Sequence, residues 1–95
     1  MALLIKFEDY VTTYEQVKPK GKTFSLEELQ KFVGGYIEIL HLADDKLCMV
    51  CNEEGKINHL PMNPIATRLF NVLTTGSPYD YIVGNVLICG SNEID

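Results

Sequence analysis

The side chains with the widest chemical repertoire in this sequence are three cysteines and two histidines. Cys48-Met-Val-Cys51 has the spacing of a redox or zinc pair. It falls in a segment that reads as a strand, where positions three apart point to opposite faces. A redox pair instead sits at a helix start, whose dipole lowers the thiol pKa. No second Cys-x-x-Cys accompanies it, and the remaining soft ligands are Cys89, His41 and His59. The cysteines therefore read as small hydrophobes of a strand. His41, at a strand end, and His59, before a helix, are candidate bases; Ser25, Ser77 and Ser91 are candidate nucleophiles. No motif groups any of them, so no reaction class follows. Asp44-Asp45 and Glu53-Glu54 lack the alternating oxygen ligands of a calcium loop and read as exposed acidic hairpin tips. The expectation is no catalytic residue, no metal and no cofactor.

A contrast between two helix starts is more informative. Ser25-Leu-Glu-Glu28 matches a capping box, and Glu27 and Glu28 compensate the positive end of that helix dipole. Asn63-Pro64 opens a second helix, with Asn63 as cap and Pro64 at the first helical position. Its first turn (Pro64, Ile65, Ala66, Thr67) has no carboxylate, and Arg68 follows. Free amides, the Thr67 hydroxyl and the Arg68 guanidinium are suited to a phosphate or carboxylate. Lys18, Lys20 and Lys22, in a flexible loop, can add positive charge to such a site. Tyr10, Tyr14, Tyr36, Tyr79 and Tyr81 offer stacking area in a chain with no tryptophan. The candidate ligand-binding set is Asn63, Ala66, Thr67, Arg68, Lys18, Lys20, Lys22 and Tyr36.

These residues need elements to position them. Leu3, Ile5 and Phe7 alternate with Leu4, Lys6 and Glu8, the period of a strand. Residues 12–18 form a second strand, with Glu8-Asp9-Tyr10 turning between them as a hairpin. The first helix presents Leu26, Leu29 and Val33 on one face and stops at Gly34-Gly35. Strands over 36–42, 46–52 and 56–60 follow as a meander, with Gly55 taking positive φ in a three-residue loop. The second helix carries Ile65, Ala66, Leu69, Val72 and Leu73 as its apolar stripe and closes over 74–78. Residues 82–89 are nearly continuously apolar, interrupted by Gly84 and Asn85, and read as a central strand buried on both faces. The fold class is α+β: one small domain over 1–95, a mixed and mainly antiparallel sheet with two short helices, all apolar stripes buried in one layer. An N-terminal hairpin over 1–18 opens the domain and a polar tail over 91–95 closes it.

Length and charge exclude whole classes. A chain of 95 residues holds one small domain, not two lobes around a cleft. A net charge of -5 opposes binding to duplex nucleic acid. No apolar run approaches the ~20 residues that cross a bilayer, and no basic region precedes the first apolar stretch. An odd cysteine count suits a reducing interior, so the expected location is cytoplasmic. A small sheet domain leaves a face or edge uncovered, which favours a homo-oligomer.

Four stretches in order resemble a known family: Leu26-Glu-Glu-Leu-Gln-Lys-Phe-Val-Gly-Gly-Tyr-Ile-Glu-Ile39, Asn52-Glu-Glu-Gly-Lys56, Leu60-Pro-Met-Asn-Pro-Ile-Ala-Thr67 and Ile82-Val-Gly-Asn-Val-Leu-Ile-Cys-Gly90. They look like a small domain of unknown function found mainly in bacteriophages and other mobile elements, matched over roughly 25–90. The resemblance implies a phage accessory protein working in the cytoplasm of a bacterial host. It brings no catalytic residues. The expectation is a non-enzymatic protein that counters host defence by sequestering a small anionic, nucleotide-like ligand. The alternative is an acidic inhibitor docking on a basic host protein.

Overall fold

The computed structural model describes residues 2–74 and 80–94. Ser77, Tyr79 and most of the turn expected over 74–78 lie outside them. Strands β1 (Ala2–Glu8), β2 (Val11–Val17), β3 (Ile37–Leu42), β4 (Leu47–Asn52) and β5 (Val86–Gly90) form one sheet. Helices α1 (Leu26–Val33) and α2 (Pro64–Leu73) pack on it. The strand order is β2-β1-β5-β4-β3 and every neighbouring pair is antiparallel. The class is α+β, as the pattern of elements implies. Among the described residues the one parallel pairing, Phe24 with Ile94, is an isolated bridge beyond the named strands, so the sheet is antiparallel rather than mixed.

Asp9 and Tyr10 both have positive φ and join β1 to β2 as a two-residue turn. Such turns match the twist of the flanking strands. In α1, the Ser25 hydroxyl accepts from the Glu28 amide at 3.2 Å, and Glu28 accepts from the Ser25 amide at 2.9 Å. That backbone hydrogen bond, more than any other influence, holds the Glu28 carboxyl below its ordinary pKa. Gly34, at φ 80°, ends the helix in the left-handed region.

Three expectations are corrected. The apolar stripes are buried in two layers, not one. Cys48, Val50, Leu87 and Cys89 pack with Leu29 and Val33 of α1, whereas Met49, Cys51 and Val86 pack with Ala66 of α2. Consecutive apolar residues in β4 and β5 project alternately to both faces, so each face needs a helix. Second, 56–60 is not a strand. β4 already pairs with β3 on one edge and β5 on the other, which leaves no edge for a returning strand. The segment coils instead: the Asn58 amide bonds the Glu54 carbonyl at 2.9 Å, and that of Leu60 bonds the Gly55 carbonyl at 3.0 Å. Gly55 does not take positive φ; it is needed because a Cβ there would lie 2.7 Å from Val83 Cγ2. Third, the last strand begins only at Val86, since Gly84 at φ 76° redirects the chain. The polar tail is bound into the fold, with the Phe24 amide donating to the Glu93 carbonyl at 2.8 Å.

Candidate functional site

The start of α2 is where sequence places the anion site, and its polar groups have internal partners. Asn63 is fully buried. Its side-chain oxygen accepts from the Ala66 amide at 3.1 Å, while its amide nitrogen donates to the carbonyls of Ile5 at 3.2 Å and Gly84 at 2.9 Å. The Thr67 amide donates to the Asn63 carbonyl at 2.9 Å. The Thr67 hydroxyl accepts from the Ile82 amide at 2.9 Å and donates to the Ile82 carbonyl at 3.2 Å. The expectation of free amides at Ala66 and Thr67 is thus corrected. Capping a helix over a sheet leaves backbone groups of β1 and of 82–84 to satisfy, and these side chains do it.

Arg68 is different. It is exposed, and the ion pairs among the described residues are Lys6–Glu15, His41–Asp45 and Lys56–Asp80, none of which includes it. Arg68 and Thr67 border an open concavity of about 440 Å³ with Met62, Pro64, Asn71 and Val72. Met62 and Val72 are exposed apolar side chains. Asn71 is held in place by its bonds to the Thr67 and Asp80 backbones, at 2.7 to 3.1 Å. The result is a cation beside an apolar shelf on the outer face of α2.

The other candidates lie elsewhere. Lys18, Lys20 and Lys22 are exposed in the loop that leads to α1, and the Lys20 amide donates to Glu28 at 3.2 Å. That ties the basic loop to α1, on the opposite face of the sheet from α2. Tyr36 is exposed and borders a hollow of about 300 Å³ with Gln30, Gly34, Gly35, Asn52, Glu54 and Asn58. The set divides among three places.

Two constellations have no local spacing to announce them. Lys56 Nζ lies 2.7 Å from Asp80 and 4.1 Å from the centre of the Tyr81 ring. With Glu38, Leu40 and Cys51 these residues line a hollow of about 200 Å³. The Lys56–Asp80 hydrogen bond raises the lysine pKa and lowers that of the aspartate. Burial, and then the neighbouring Glu38, push the Cys51 thiol up to about 12, so it is protonated at neutral pH. At the far end of β4, Cys48 Sγ lies 3.8 Å from His41 Nδ1 and 3.5 Å from Ser91 Oγ. Cys48 is buried, and Ser91 also bonds the Asp45 carbonyl. Cys48 and Cys51 face opposite sides of the sheet, as their spacing in a strand requires. No cluster of three or more metal-ligating side chains occurs among the described residues. No helix among them is long and apolar enough to cross a membrane.

Comparison with curated proteins and with solved structures returns no match. The model of a family described as a domain of unknown function, DUF3846, matches residues 8–95. The match takes in β2 and the polar tail as well as the stretches that carry the resemblance. The chain belongs to the DUF3846 family.

Proposed function

We propose that this chain is a binding protein rather than a catalyst, and that it holds a small anionic, nucleotide-like ligand against the outer face of α2. The observation that carries the reading is Arg68, an exposed guanidinium with no carboxylate partner among the described residues, set beside Met62 and Val72. A guanidinium engages phosphate through paired N–H donors, and an apolar shelf accepts the flat face of a base. A net charge of -5 repels long phosphate backbones but leaves room for one small anion at a local cation. Ala66, Thr67 and Asn63 act here by fixing the helix that carries Arg68. The setting of this proposal is the one the resemblance implies, a phage accessory factor in the cytoplasm of a bacterial host. Sequestering a nucleotide signal used in host defence fits that setting.

Titration calorimetry of the full chain with nucleotide second messengers tests this. The expected result is heat with at least one of them and its loss in Arg68→Ala. Absence of heat across the series contradicts the reading.

A second reading, docking on a basic host protein, is favoured by exposed Tyr36 and Ile57 near acidic Glu53 and Glu54. Such a complex weakens with salt, which pull-downs at two ionic strengths measure. Equal capture at both contradicts it.

A further inference from the structure

β2 is an edge strand whose outer side no strand covers among the described residues. Its seven residues, Val-Thr-Thr-Tyr-Glu-Gln-Val, include no proline and a single charge, Glu15. The pairing with β1 runs without a bulge from Glu8↔Val11 to Ala2↔Val17. Proline, clustered charge and bulges are the usual protections of a sheet edge. This edge has none of them. Val11 and Tyr14 are both 56% exposed on it.

The direction of each backbone group follows from the turn. The pair closing a two-residue hairpin exchanges both hydrogen bonds, and bonded and non-bonded pairs then alternate. Val11, Thr13, Glu15 and Val17 therefore bond β1. Thr12, Tyr14 and Gln16 each aim one N–H and one C=O outward.

From this we infer that two copies of the chain associate by antiparallel pairing of β2 with β2 about a two-fold axis at Tyr14, forming one continuous sheet. In this register Tyr14 faces Tyr14, Thr12 faces Gln16, Thr13 faces Glu15 and Val11 faces Val17. Every outward N–H and C=O meets a counterpart, because outward residues face outward residues. The side chains also match: an aromatic pair at the centre, β-branched pairs at the ends and no like charges opposed. A slip by one residue sets outward groups against residues already bonded to β1. A slip that centres the axis on Glu15 opposes two carboxylates. Centring it on Thr13 pushes Gln16 out to face Tyr10 in the turn. The backbone phase and the side-chain sequence thus select the same register. A two-fold axis needs such a self-complementary patch.

The test is the mass of the full chain by light scattering over a concentration series, with hydrogen exchange at low and high concentration. The expected mass rises to twice that of the 95-residue chain, and the amides of Thr12, Tyr14 and Gln16 gain protection with concentration. Tyr14→Lys, which opposes two ammonium groups at the axis, and Tyr14→Pro, which removes an outward N–H, abolish the dimer and leave the circular dichroism spectrum unchanged. Tyr14→Cys forms a disulfide-linked dimer on mild oxidation. A mass that stays monomeric throughout overturns the inference. So does a dimer whose formation leaves those amides unprotected, a measurement that needs no variant.

Discussion

Asn63 satisfies a helix end, a strand carbonyl and a turn carbonyl with one amide side chain. Its cap was legible from Asn-Pro before an apolar stripe. Its bond to Ile5, 58 residues away, was not, because no local pattern encodes a long-range contact. The same blindness made the Ala66 and Thr67 groups look free. Asn63→Ala removes a cap worth ~1 kcal/mol and two buried hydrogen bonds to carbonyls at ~1 kcal/mol each, so urea unfolding is expected to show a loss of about 3 kcal/mol. Asn63→Asp keeps the capping oxygen but not the donors, and is expected to be destabilising as well; an unchanged midpoint for either variant contradicts this role. The thiols make a second case. Burial lifts Cys51 and Cys89 to about 12. Alkylation of the native chain at mildly alkaline pH is therefore expected to be slow at both, and complete once urea unfolds it. Rapid native modification of either contradicts their burial.

At the scale of elements, local signals performed well where they were sufficient. Ser25 with Glu28, and Gly34 after Val33, mark the bounds of α1. Ser25→Ala is expected to lower stability by ~1 kcal/mol in denaturant unfolding. The segment 56–60 failed because strand formation depends on a free neighbour, and β4 has none. Its coil instead brings Lys56 to Asp80, a pairing across 24 residues that no spacing rule anticipates. The Asp80 pKa is lowered, so its contribution is present above the ordinary carboxylate range and is lost as pH falls through the lowered value. The Lys56 pKa is raised, so its contribution is present below the ordinary lysine value and is lost as pH rises through the raised one. The pair therefore stabilises between these limits. Both side chains are about half exposed, which keeps the effect within ~1 kcal/mol. Asp80→Asn is expected to cost up to that amount at neutral pH, with the gap to wild type closing in acid. A gap that widens in acid contradicts the assignment.

For the whole molecule, the apolar run over 82–89 signalled a central strand but overran its start: only its second part is strand, and burial on both faces is what tolerates the apolar sequence there. The same logic, applied to Leu47–Cys51, implies a helix on each face, and the single-layer expectation overlooked it. The consequence for function is separation. The basic loop stays with α1 and Arg68 with α2, so the candidate site shrinks to one cation and its apolar shelf. Ligand binding there and pairing through β2 use different surfaces, and each can fail without the other. The most direct test is an NMR titration of the isotopically labelled full chain with a nucleotide that gives heat in calorimetry. The account predicts shifts at the Arg68 side chain and the Met62 and Val72 methyl groups, absent in Arg68→Ala. Shifts confined to Tyr36 or the loop of Lys18, Lys20 and Lys22, or no shifts at all, contradict it.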